Sequence, residues 1–278
     1  MESAILCIES QIWELVSMQK ISEWKSNQFI YNHVVYDPIT ERSFGKHSHA
    51  LTELIYVIRG AISYTIENTQ FVAHAGDLIV IKPYSYHYFS MQDAVDYEKI
   101  SILFPMEKEA LERWTDKAFL LLDCKSGRIH DIFAKIDFYY HNCPKEVFLD
   151  LARALTKEIC INVTLFHEPQ EPTEHTQVHP VLERALTYVN ENLFSFNTVK
   201  ELAERLSVSE GYLKALFTEH LKIPPKKYVT EKKMLMAKTM IAAGTPPTQV
   251  AYRCGYTNYV TFYRLYVKTF GVKPTEKT

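Results

Sequence analysis

The chain has no apolar run long enough to cross a bilayer: stretches such as Phe119 to Leu122 fall far short of the roughly 20 residues a spanning helix needs. Its N-terminus has no basic segment ahead of an apolar core, and Glu2 and Glu9 stand there instead. No secretory leader is expected, and a cytoplasmic location is. The five cysteines, Cys7, Cys124, Cys143, Cys160 and Cys254, form no C-x-x-C pair and are odd in number, which excludes a disulfide or zinc framework and leaves reduced thiols. Neither sign of charge dominates, with 31 Lys and Arg against 33 Asp and Glu. At 47% hydrophobic residues, a chain of 278 has room for two or three packed cores.

The near-neutral total hides a split. Residues 179–278 carry 15 Lys and Arg against 8 Asp and Glu, while the residues before them carry 16 against 25. A basic C-terminal third on an acidic remainder suits a polyanion-binding module joined to a module of another kind. The same third holds one pattern twice, 49 positions apart: Ser209, Leu213, Leu216, Phe217 and Pro225 recur as Asn258, Phe262, Leu265, Tyr266 and Pro274. Each copy has a short helix with a buried Ala (Leu202-Ala203, Val250-Ala251), a tight turn, and a helix opened by a capping residue. The pattern predicts two helix-turn-helix units and double-stranded DNA as partner, read in two successive major grooves.

Between Phe29 and Leu103 the periodicity is that of strands: Leu54 to Ile58, Ala61 to Ile66, Phe71 to Ala73, Leu78 to Ile81 and Lys99 to Phe104, punctuated by Gly60, Asn68-Thr69, Gly76-Asp77 and Pro83. Short strands so closely spaced predict a small barrel or sandwich. After Pro105 the period turns helical through Leu111, Trp114, Phe119, Ile132, Phe133, Ile136, Phe148, Leu151, Leu155 and Ile159, predicting helices that pack on the barrel and on a second subunit. The expected fold is α+β, an N-terminal β-barrel with packed helices and a C-terminal all-α domain. Its expected divisions are 1–166 for effector binding and dimerisation, a polar, proline-bearing linker at 167–178, and 179–278 for DNA.

In the first helix-turn-helix unit Thr198 and Glu201 form a capping box, and Ser209 caps the next helix. With Leu213, Leu216 and Phe217 on the buried face, Glu210, Gly211, Lys214 and Ala215 point outward. In the second unit Asn258 starts the helix, Phe262, Leu265 and Tyr266 are core, and Tyr259, Val260, Tyr263 and Arg264 face out. Lys268 joins the candidate DNA contacts. Arg264 leads them, because its fork suits guanine O6/N7 or a phosphate. Between the units, Pro224-Pro225 opens a long helix, Lys226 to Ala243, ended by Gly244. A rigid helix there spaces two readers about 34 Å apart. Lys226, Lys227, Lys232 and Lys233 are expected to add basic charge along it.

These residues resemble the AraC/XylS family of bacterial transcription regulators over essentially the whole chain. The signature is Leu-Ala-x5-Ser-x3-Leu-x3-Phe followed by Pro-x2-Tyr (Leu202 to Tyr228), then Ala237, then Val-Ala-x3-Gly-Tyr-Thr-Asn-x3-Phe-x-Arg-x-Tyr-x4-Gly-x-x-Pro (Val250 to Pro274). The chain departs from the pattern where Ala215 and Lys233 replace its usual arginines and Lys222 its usual glycine. The resemblance then implies that the second unit, through Arg264, carries more of the base contacts. It also implies that activation is the commoner regulatory mode.

The N-terminal part looks like a cupin barrel: His47-Ser48-His49, then Glu53, Gly60, Gly76-Asp77 and Pro83-x3-His87. On one continuous strand His47, His49 and Glu53 share parity and face the barrel interior, and His87 approaches from a neighbouring strand. Imidazoles with a carboxylate make a sufficient ligand set for a divalent transition metal. The alternative is a metal-free pocket for an organic effector such as a sugar, lined by Tyr56, Tyr64, Tyr84, Tyr86, Tyr88 and Phe89. A cupin enzyme using the same four residues around iron or manganese is the rival function, and it leaves the repeated helix pair and the basic third unexplained. A ligand-independent regulator is a third reading.

Overall fold

The strand-forming sequence between Met18 and Asp123 builds two antiparallel sheets around a single filling of apolar side chains. The computed structural model describes residues 18–26, 28–36, 42–91, 96–115, 117–125, 127–166, 175–177, 179–196 and 198–276. The strands are β1 (Met18–Lys25), β2 (Ile30–Tyr36), β3 (Arg42–His47), β4 (Thr52–Arg59), β5 (Ala61–Ile66), β6 (Thr69–His74), β7 (Asp77–Ile81), β8 (His87–Met91), β9 (Tyr97–Phe104), β10 (Phe119–Asp123) and β11 (His175–Gln177). One sheet runs β1-β2-β9-β4-β7-β10 and the other β11-β6-β5-β8-β3.

Alternation along the strands assigns each face. Ile55 and Val57 of β4, Ile79 and Ile81 of β7 and Phe119 and Leu121 of β10 point between the sheets, where Tyr36, Tyr64, Phe71, Phe89 and Tyr97 fill the barrel. Their neighbours Leu54, Tyr56, Leu78, Val80, Leu120 and Leu122 point the other way. They bury against three helices, α1 (Lys108–Trp114), α2 (Arg128–Asn142) and α3 (Lys145–Phe166). A sheet covered on one side by its partner and on the other by helices explains why β4 and β7 are buried along nearly their whole length.

Among the described residues six further α-helices follow: α4 (Pro180–Glu191), α5 (Val199–Arg205), α6 (Glu210–Leu216), α7 (Pro225–Ala242), α8 (Pro247–Arg253) and α9 (Tyr259–Phe270). They make two cores. One gathers Leu182, Leu202, Ala203, Leu213, Phe217 and Tyr228, the other Met234, Val250, Ala251, Phe262 and Tyr266. The long helix α7 contributes to both and is their common spine. Among the described residues no helix is long and apolar enough to cross a membrane.

Two expectations are corrected here. Phe119 does not belong to a helical period: with Leu120, Leu121 and Leu122 it forms edge strand β10, pairing with β7 from Phe119↔Ile81 to Asp123↔Asp77. A short apolar run carries no period of its own, and the open edge of β7 decided it. Nor is the segment 167–178 wholly a linker, because His175–Gln177 adds strand β11 to the edge of β6. Residues 167–174 and 178 of that segment, like Cys7, lie outside the described residues. Cys124, Cys143, Cys160 and Cys254 are free thiols.

Candidate DNA-reading faces and sensor cluster

In the first unit the Thr198 hydroxyl accepts from Glu201 N at 3.1 Å and opens α5. The turn closes with Val208 N donating to the Ala203 carbonyl at 3.0 Å while Ser207 takes a left-handed φ of 58°. Ser209 then caps α6 by accepting from Tyr212 N at 3.1 Å. Leu213 and Leu216 are buried, so Gly211, Tyr212, Lys214 and Ala215 are exposed and Glu210 is half-buried. Lys214 holds Glu210 at 2.6 Å. After α6 the backbone loosens into a π-helical turn, Phe217–Leu221, ended by Lys222 at φ 56°. Lys222 is the position where the resemblance expects glycine, and its left-handed backbone is the reason glycine suits it.

The second unit repeats the device. Tyr256 N donates to the Ala251 carbonyl at 3.0 Å across a turn at Gly255, whose φ is 82°. Asn258 caps α9 through Val260 N at 2.7 Å. Phe262 and Tyr266 are buried, Val260, Arg264 and Lys268 are exposed, and Tyr259, Tyr263 and Leu265 are half-buried. Leu265 therefore lies at the rim of the core rather than inside it.

The four lysines of the spine helix divide. Lys226 and Lys227 are exposed, but Lys232 and Lys233 are buried and add no basic surface. Lys233 Nζ donates to the Phe196 carbonyl at 3.3 Å, and burial lowers its pKa. Lys232 Nζ reaches across to the barrel domain. It lies 2.9 Å from Glu67 Oε1, with Asn190 Oδ1 at 2.6 Å on its other side.

Glu67 is the residue that pattern reading missed. It sits in the two-residue turn between β5 and β6, where a carboxylate ordinarily faces water, yet it is buried and has a left-handed φ of 48°. Its carboxylate accepts from Lys232, from the Tyr228 hydroxyl at 2.6 Å and from Tyr86 N at 2.9 Å. Burial, reinforced by Glu67, pushes the Tyr228 hydroxyl well above its ordinary pKa, so it remains a donor. Around this pair the Tyr88 hydroxyl donates to the His220 carbonyl at 2.8 Å, and the Tyr84 hydroxyl to Thr239 Oγ1 at 3.0 Å. Tyr86 and Tyr88 are thus part of the core of the first helix-turn-helix unit rather than the lining of a pocket. No signal short of the docked domains marked them.

Within the barrel domain the expected histidine cluster assembles, though not on one strand. His47 ends β3, His49 lies in the following loop, Glu53 is on β4, and His87 on β8 stands opposite His47 in register. Their potential ligand atoms all lie within 4.8 Å of one another. His49 Nε2 is 3.1 Å and His87 Nε2 3.2 Å from the same Glu53 Oε2. Burial would raise the Glu53 carboxyl, but its contacts with His49 and His87 outweigh that and hold it well below the usual carboxylate range. Of the remaining aromatics expected around it, Tyr64 and Phe89 face the barrel interior, with the Tyr64 hydroxyl 3.0 Å from that of Tyr97. Tyr56 points outward beneath α2, stacked on Phe133 at 4.8 Å and bonded to His130 Nδ1 at 2.9 Å.

Two family models match the chain. One, described as an AraC-like ligand binding domain, takes residues 34–136, and the other, described as a helix-turn-helix domain, takes 202–277. The HTH-type transcriptional regulator YdiP of Escherichia coli (strain K12) is 23% identical over 270 residues, covering 86% of this chain and 82% of its own. The lactose operon transcription activator of Staphylococcus xylosus is 25% identical over 100 residues, 36% of each chain. Among solved structures, ToxT of Vibrio cholerae O395 aligns over 90% of this chain and 96% of its own at 12% identity. Its TM-score of 0.39 is too low to carry a conclusion.

Proposed function

We propose a function from one premise: the chain belongs to the AraC/XylS family of transcriptional regulators, with a ligand-binding domain ahead of a helix-turn-helix DNA-binding domain. On that reading it is a cytoplasmic, homodimeric activator whose hold on DNA answers to a small molecule in the N-terminal barrel. The observation that carries the DNA half is the sidedness of the two capped helices. Each buries its apolar face and leaves its other face open: the side chains of Ser209, Lys214 and the half-buried Glu210 with the bare backbone of Gly211 on the first, and Asn258, Arg264, Lys268 and the half-buried Tyr259 and Tyr263 on the second. That is how a recognition helix meets base edges and phosphates. The curated relatives compared above are named regulators, so no reaction is assigned to the barrel.

Residues 1–166 would then sense and dimerise, 167–178 connect, and 179–278 read DNA. Dimerisation is supported by α3, where Val147, Leu151, Ala154, Ile161 and Leu165 fall on one face at steps of three, four and seven residues, interrupted by the charged Glu158. Ile161 and Leu165 are 48% and 64% exposed. An apolar stripe of that spacing fits a second copy of the same helix. The name of the staphylococcal relative supports a sugar as effector and activation as the mode.

The test uses full-length protein on an operator obtained by in-vitro selection, with anisotropy as readout. Arg264→Ala should lose about 1 to 3 kcal/mol of specific binding and relax selectivity at one position, whereas Lys268→Ala should lower the salt dependence by about one counterion. Unchanged curves for both would remove α9 as a reader.

A further inference from the structure

His49 Nδ1 lies 2.8 Å from the Leu51 carbonyl oxygen, and His87 Nδ1 2.9 Å from that of Ser85. A carbonyl only accepts, so both Nδ1 atoms carry a proton and both Nε2 atoms are left to face Glu53 Oε2. Neutral imidazoles would present lone pairs to a carboxylate there, which is repulsive. Two imidazolium ions would instead have to coexist around one buried carboxylate, with the His47 ring centroid 4.5 and 5.6 Å from those of His87 and His49. His87 Nε2 is itself fully buried and, although close to Glu53, is not aligned for a hydrogen bond. A cation among these atoms removes the conflict, since lone pairs and carboxylate oxygens would then all bind it.

The outer contacts are those of metal-ligating histidines, which characteristically donate their other ring N–H to a backbone carbonyl and so fix tautomer and orientation. Three imidazoles and a carboxylate suit the zinc-to-iron range of divalent ions. The widest pair at 4.8 Å must close by about half an ångström to hold ligands at ~2.1 Å on opposite sides of an ion. His47 and His49 are only half-buried, which gives an ion a way in.

Strand β8 links this cluster to the DNA-reading domain. Side chains alternate along it and the residue before it: His87 and Phe89 point to the cluster and the barrel core, while Tyr88 and the preceding Tyr86 point to the opposite face and pack with Leu213, Phe217 and Tyr228 of the DNA reader. Tyr86 meets Tyr228 edge-on at 5.9 Å, and its backbone holds Glu67 from both sides. A shift of β8 at His87 therefore moves groups that dock the reader.

We propose that His47, His49, Glu53 and His87 bind one divalent transition-metal ion, and that its binding is coupled through β8 to how the DNA-reading domain is held. The coupling rests on the regulator reading above, whereas the metal site does not. Chelator-stripped full-length protein titrated with Zn²⁺ by calorimetry, and with Co²⁺ by visible absorption, should take up one ion per chain. Glu53→Gln and His49→Gln should each weaken it beyond the roughly 10- to 100-fold typical of outer-shell changes. Operator affinity should differ at least about fivefold between stripped and Zn²⁺-loaded protein, and Tyr88→Phe should shrink that ratio while leaving metal uptake unchanged. No stoichiometric uptake by the wild type, or uptake unaffected in both ligand variants, overturns the site. Uptake with identical operator affinity overturns the coupling. If stripped protein still selects its operator, either failure leaves the regulator reading standing; no operator binding in either state overturns that reading instead.

Discussion

Asp137 on α2 ties the outer strands to the helical layer by accepting from Ser22, Tyr31 and His33 at 3.1, 2.7 and 3.0 Å. Burial alone would raise its pKa, but His33 and Tyr31 outweigh it and lower it from 3.8 to about 2. His33 has the complementary problem. Burial disfavours its charge, yet Asp137 on one ring nitrogen and Glu98 on the other, at 2.9 Å, raise its pKa above 6.5. His141 and Arg59 face the same carboxylates from the solvent side. The signs follow by linkage. The Asp137 contribution is complete above about pH 4 and is lost as pH falls toward 2. The His33 contribution is complete below 6.5 and is lost as pH rises through its elevated folded value. Stability from this network should therefore peak in mild acid. Urea midpoints measured against pH should show His33→Gln flattening the decline above pH 6.5, and an unaltered slope would assign that decline elsewhere.

At the scale of elements, the two helix-turn-helix units use glycine for opposite ends. Gly255 turns the second unit with φ 82°, and a Cβ there would collide with the Phe194 carbonyl oxygen. Gly255→Ala should cost at least the roughly 1 to 3 kcal/mol of a forced left-handed residue, read as a lower melting temperature. Gly211 in α6 meets nothing within 4 Å at its would-be Cβ. Gly211→Ala should stabilise the fold by about 0.4 to 1 kcal/mol, since alanine at this first-turn helical position leaves the unfolded chain less backbone freedom to lose. If operator affinity drops in this more stable variant, the bare backbone is there for close approach to DNA, and unchanged affinity would reduce Gly211 to a helix defect. The units themselves were legible in sequence because caps, turns and apolar spacing are local properties. The same reasoning failed at Phe119 because its strand exists only beside β7.

For the whole molecule, the governing contact is the Glu67–Lys232 pair, 165 residues apart in sequence and buried between the barrel and the spine of the DNA reader. Removing one partner strands the other charge, a loss of about 3 to 5 kcal/mol from the docked arrangement. Glu67→Ala should raise hydrogen exchange at Tyr228 to Lys232 and enlarge the radius of gyration in X-ray scattering. Glu67→Gln with Lys232→Met, free of charge but keeping an acceptor for Tyr228 and Tyr86 N, should restore docking. Exchange at wild-type levels in the single variant would mean that the aromatic contacts hold the domains without the pair. From sequence alone came the two DNA-reading units, the strand-built sensor and the four cluster residues, because periodicity, capping and motif spacing depend on neighbours along the chain. Tertiary structure alone decided that the cluster is gathered from two strand ends, a loop and a facing strand. It also decided that two lysines read as basic surface are interior and that a hairpin glutamate docks one domain on the other, because register and interdomain burial are set by partners far away in sequence.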